Sequence, residues 1–195
     1  MTSNADPANR LAACASGSGT DFWFLNNRTA IKATGQMTGG AYGLVESWIP
    51  PGFSPPLHVH HREDEAFWLL EGEMTLRCGD QTLSGGPGSY FFLPRGVPHT
   101  FVVEGGAAAH MLTLLSPGGG EEFFAAAGRP AEHDGFPPVA PTDVERLRSA
   151  GGRFGIEIVG PPIVPASTAG AGVEGGVTRA GSTGRESALS GAAPA

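Results

Sequence analysis

Between Phe22 and Leu115 the chain is written in short apolar runs broken by Gly and Pro clusters, the pattern of strands joined by tight turns in an all-β sandwich or barrel. The runs predict strands at Phe22–Leu25, Ala30–Thr34, Ala41–Ile49, Leu57–His60, Ala66–Glu71, Glu73–Arg77, Gln81–Leu83, Ser89–Leu93, His99–Val103 and Ala108–Leu115. So many short strands suit a jelly roll. Gly72 supplies the positive φ of a tight turn after Leu70, and "CGD" at 78–80 is a second hairpin signal. Pro94 and Pro98 flank Gly96, a rigid corner that delivers His99 to the next strand with little loop entropy left to lose.

After Pro117 the pattern changes. "GGGEEFFAAAG" reads as a short helix with acids in its first turn and Gly128 at its end. "PTDVERLRSAGG" reads as a second, capped by Thr142 or Asp143, apolar at Val144 and Leu147, and ended by Gly151. Both are expected to cover one opening or edge of the barrel. No internal repeat is present.

Composition sharpens the boundaries. A chain of 195 residues that is 40% hydrophobic supplies the core of one domain, and its aromatic and β-branched residues concentrate between Asp21 and Pro162. Residues 1–20 and 163–195 are rich in Ala, Gly, Ser and Thr and are expected to be disordered tails. A net charge of −7 without a basic stripe argues against nucleic acid and leaves a small molecule as the expected partner. The first twenty residues lack the basic start and apolar core of a signal peptide, and no run reaches transmembrane length, so a cytoplasmic protein without a membrane partner is expected. Cys14 and Cys78 cannot build a disulfide framework, and Cys78 shares a strand face with Met74 and Leu76.

The chemistry concentrates in "LHVHHREDEAFWLL". Three of the six histidines lie within four positions. On a strand, His58 and His60 project from one face with Cα atoms about 6.6 Å apart, a span two imidazoles can bridge to one metal, while His61 points away. Glu65 stands nearest the next strand and can return its carboxylate after the turn; His61, Glu63 and Asp64 read as the solvated turn itself, or as a turn from which one of them hydrogen-bonds a metal-binding side chain from behind. His99 becomes a third imidazole if its strand lies beside the first. His110 and His133 read as structural or exposed, and Arg95 as a surface residue near the barrel mouth. Period two places Phe67 and Leu69 in register with Glu65, and Phe101 and Val103 in register with His99. With Tyr90 and Phe92 these form either an apolar substrate pocket or plain core.

The anchored positions resemble the two motifs of the cupins. Gly52, His58, His60, Glu65 and Gly72 follow the first motif at intervals of five, one, four and six residues; Gly88, Pro94, Gly96 and His99 follow the second, whose usual final Asn is Val103 here. The context from Asp21 to Pro162 resembles the single-domain, quercetin 2,3-dioxygenase-like cupins. The resemblance implies a β-barrel holding one divalent transition metal (Fe, Mn, Ni, Co, Cu or Zn) on His58, His60, Glu65 and His99, with open positions for substrate or O2. It also implies a dioxygenase acting on a flavonol-like or enol-bearing aromatic or polyketide molecule, with Glu65 as general base. A redox-neutral isomerase, cyclase or lyase and a non-catalytic binding cupin share the same ligands. A homodimer is expected from the family and from edge protection.

Overall fold

The computed structural model describes residues 13–15 and 19–166, so the expected tails lie for the most part outside the described residues. The strands are β1 (Thr20–Phe24), β2 (Asn27–Ala33), β3 (Gly43–Ile49), β4 (Leu57–His60), β5 (Asp64–Glu71), β6 (Glu73–Cys78), β7 (Gln81–Gly85), β8 (Tyr90–Leu93), β9 (His99–Glu104), β10 (Ala109–Ser116), β11 (Arg129–Pro130) and β12 (Ile156–Gly160). Three helices, α1 (Gly35–Thr38), α2 (Glu122–Ala127) and α3 (Val144–Phe154), join them. Two antiparallel sheets result, ordered β11-β1-β2-β3-β10-β5-β8 and β12-β4-β9-β6-β7. The expected all-β jelly roll is the observed fold. No helix among the described residues is long and apolar enough to cross a membrane.

The alternation read from the sequence builds the interior. In β3 every second residue is buried, with Val45 and Ile49 fully so. Ile49, Phe67, Leu69, Leu93 and Met111 of the first sheet meet Met74, Leu76, Phe101 and Val103 of the second, so the main core lies between the sheets. Cys78 packs at its margin, where burial pushes its thiol up and away from thiolate chemistry. Gly72 turns β5 into β6 at φ 82°, and a Cβ there would lie 2.7 Å from the Ala109 Cα. Both the left-handed backbone and the close approach require glycine.

A smaller cluster joins α2 and α3 to β1 and β12 through Phe24, Phe123, Ala127, Leu147, Ala150 and Ile156. Asp143 caps α3, accepting from the Arg146 N–H at 2.9 Å. The helix runs past the expected stop at Gly151 and ends at Gly155, φ 76°. Gly151 serves packing: a Cβ on it would lie 2.5 Å from the Ile156 carbonyl oxygen. Close approach of β12 outweighs the helix penalty of glycine, about 1 kcal/mol. β12 itself is absent from the sequence expectation, yet it pairs Ile156 with His60 and Ile158 with His58 and so secures the strand carrying two histidines.

Candidate metal centre

The corner Pro94–Pro98 and the extended segment "PPLHVH" bring β4 and β9 side by side, with His58 directly opposite His99. His60 stands two residues along β4 on the same face, and its ring stacks with His99 at 5.5 Å between centroids. Glu65, near the start of β5 in the other sheet, completes the group. One donor atom from each of His58, His60, Glu65 and His99 lies within 4.8 Å of all the others. His60, Glu65 and His99 are buried.

Hydrogen bonds orient the rings. His58 Nδ1 donates to the Pro56 carbonyl at 2.8 Å and His99 Nδ1 donates to the Val97 carbonyl at 3.0 Å, since a carbonyl can only accept. The Nε2 atoms therefore turn inward. The nearest Glu65 oxygen lies 3.0 Å from His99 Nε2 and 3.7 Å from His60 Nε2. Burial opposes the charge on Glu65, but His60, His99 and His58 outweigh it and hold the carboxyl down at about 2. Burial, then His99 and His60, push His58 down to about 3, so it stays neutral with a free lone pair. For His60, burial is outweighed by Glu65 and Glu63, which raise it. Inward imidazole nitrogens around an ionised carboxylate form a donor set suited to a divalent transition metal, and the residues fit the ion that the motifs imply.

His58, His60 and Glu65 open onto an apolar cavity walled by Ile49, Phe53, Phe67, Phe101 and Met111. Phe67 and Phe101 meet edge to face at 5.6 Å. Of the expected pocket residues, these two line the cavity. Leu69 and Val103 do not; both are fully buried in the core between the sheets. Tyr90 and Phe92 are corrected outright, being 62% and 56% exposed on the outer face. The register of β8 on β5 explains this: Leu93 opposes Glu65 and Phe91 opposes Phe67, so the alternate residues point to solvent.

The cavity also has walls that the expectation lacked. Asn27, Thr29 and Ser47 add a polar strip, with the Thr29 and Ser47 hydroxyls 3.3 Å apart, and α2, α3 and β12 add Phe123, Leu147 and Ile156. Alternation in "NRTAIKA" and "GLVESWI" carried the signal for the strip; nothing local announced the helices.

The turn after β4 divides in two. His61 is exposed and pairs with Glu157 at 2.9 Å, and Asp64 binds Arg95, which holds its carboxyl down at about 2. Glu63 is not solvated but buried, 5% exposed, 3.6 Å from His60 Nδ1. His110 pairs with Glu46 and stacks on Trp48, and His133 lies edge-on to Trp23.

Residues 46–115, from within β3 to the end of the core part of β10, match the family model described as "Cupin domain". Over these residues the chain is similar to that domain. The matched residues include His58, His60, Glu65 and His99, whereas Asn27, Phe123 and Leu147 of the cavity wall come from outside them. The chain is 28% identical over 138 residues to a quercetin 2,3-dioxygenase of Bacillus subtilis, an alignment spanning 69% of this chain and 40% of that relative's length. Among solved structures it is similar to KdgF from Halomonas sp. (TM-score 0.45, 18% identity, 50% of this chain and 84% of that one). It is also similar to an RmlC-like cupin from Shewanella frigidimarina (TM-score 0.47, 18% identity, 55% and 92%) and to an oxalate decarboxylase from Bacillus subtilis (TM-score 0.47, 18% identity, 52% and 28%).

Proposed function

We propose that this cupin is a metal-dependent dioxygenase of the quercetin 2,3-dioxygenase-like type, acting on a flavonol-like or enol-bearing aromatic or polyketide molecule, with residues 21–162 as its working unit. The observation that carries this reading is a buried three-histidine, one-carboxylate cluster opening directly onto an aromatic-walled cavity. His58, His60, Glu65 and His99 hold one divalent ion of Fe, Mn, Ni, Co, Cu or Zn. Such an ion, held by these residues, would supply Lewis acidity toward an enol oxygen and a site for O2. Phe67, Phe101 and Phe53 grip the planar body of the substrate and exclude water. Glu65, ionised and at the edge of the ligand set, takes the proton from the substrate hydroxyl.

A redox-neutral isomerase, cyclase or lyase is the second reading, favoured by the same carboxylate, which can move a proton between substrate atoms without O2. A binding cupin without turnover is the third. Elemental analysis of purified protein, beside a His58→Ala variant, is followed by O2 uptake with quercetin as probe. Near-stoichiometric metal lost in His58→Ala together with O2 consumption is the expected result. Metal without O2 consumption moves the assignment to the redox-neutral class, and absence of metal from the wild type overturns the metal reading. We further propose a homodimer, supported by the exposed aromatics on the outer face of β5 and β8, the latter an edge strand.

A further inference from the structure

His58 and His99 each have an Nδ1 partner in a backbone carbonyl, but His60 has none. Its Nδ1 is buried without a hydrogen bond, and so is one oxygen of Glu63, the two lying 3.6 Å apart. Both residues are at least 95% buried, at 4% and 5% exposure. Buried polar atoms are seldom left unpaired, so two that face each other call for a common explanation. Glu63 is held in place by its surroundings. Gly120 lies so close that a Cβ on it would stand 3.1 Å from the Glu63 carboxyl carbon. The loop carrying Gly120 is pinned in turn by fully buried Glu121, which accepts from the Gly35 N–H at 2.6 Å and the Gly119 N–H at 2.7 Å.

We infer that Glu63 is a positioning residue for the metal centre: its carboxylate accepts the Nδ1 proton of His60 and thereby commits Nε2 of that ring to the ion. The inference rests on the metal reading above. The three histidines then share one tautomer, two set by carbonyls and the third by a carboxylate. A carboxylate partner makes its imidazole the most electron-rich of the three, and loss of such a partner weakens metal binding by about 10–100-fold.

The test is zinc affinity, measured by competition with a chromophoric chelator, for wild type, Glu63→Leu and Glu63→Gln, beside the imidazole N–H resonances of the zinc-loaded, nitrogen-15-labelled proteins. Expected are a 10–100-fold loss of affinity in Glu63→Leu, a smaller loss in Glu63→Gln, and a His60 Nδ1–H signal that moves upfield and exchanges faster while those of His58 and His99 stay put. A general structural effect would not single out one ring. If Glu63→Leu does not fold, Glu63→Gln carries the test, since a neutral amide is a weaker acceptor in the same volume. Affinity within twofold of wild type and an unmoved His60 resonance overturn the role of Glu63 while leaving the metal reading intact. A wild type that takes no zinc overturns the metal reading first, and this inference with it.

Discussion

His58 and His99 each donate their Nδ1 proton to the carbonyl of the residue two positions back, Pro56 and Val97. The orientation of two of the three imidazoles is thus settled within a few residues of chain, next to prolines that restrict it. That both histidines stand on strands was legible from spacing and punctuation; their Nδ1 partners were not. The burial of Glu63 was not legible, because the loop at Gly120 that packs against it comes more than fifty residues later. A second polar group away from the cluster offers a pH test. On the outer side of the first sheet, Glu46 takes His110 at 2.9 Å and Lys32 at 3.2 Å. Burial pushes its carboxyl up, but His110 and Lys32 outweigh this and hold it below its ordinary value of 4.5. The unfolded chain therefore binds the proton first, so the stabilisation is present above about 4.5 and is lost as pH falls through the lowered folded value. Glu46→Gln is expected to lose about 1–2 kcal/mol at pH 7. Thermal melts should show its gap from wild type closing as the pH is taken down through the carboxylate range; a gap that stays constant with pH would refute the ion-pair account.

Ten strands were readable because Gly and Pro clusters break the chain into short apolar runs, some of which, such as β3 and β10, also alternate with period two. The elements missed are those whose reason lies elsewhere in the molecule. "RFGIEIVGPP" has too few residues to declare itself a strand, and β12 exists because β4 presents an unpaired edge to it. Gly151 looks like a helix stop when only the helix is considered; contact with Ile156 reverses that reading. Gly72 is the opposite case, a turn glycine for both local and tertiary reasons. Gly72→Ala forces a side chain into the left-handed region and against Ala109, and is expected to cost roughly 1–3 kcal/mol. Urea unfolding should show a lower midpoint at unchanged slope, whereas an unchanged midpoint would mean the hairpin tolerates a shift at Ala109.

Across the whole molecule, the two faces of the first sheet do different work. Its inner face walls the cavity, and its outer face, at the β5 and β8 end, presents Trp68, Tyr90 and Phe92 at 54%, 62% and 56% exposure. Trp68 and Tyr90 are cross-strand partners, with Phe92 two residues on, so the three form one patch beside an unpaired edge. If this face joins two copies, light scattering after size exclusion gives a dimer for wild type, and Phe92→Glu weakens it at least about tenfold by burying an unpaired charge. A wild-type monomer at micromolar concentration would sink the assignment. The sequence by itself determined the strand ladder, the shared face of His58 and His60, and the choice of His58, His60, Glu65 and His99 as the candidate ligand set, because period two and motif spacing act over neighbouring residues and rigid corners. Only the tertiary structure decided which aromatics face inward, that Asn27, Ser47 and the two helices wall the cavity, and that Glu63 reaches His60. Those outcomes depend on strand register and on which distant segment covers a side chain, and neither is encoded at the residue it affects.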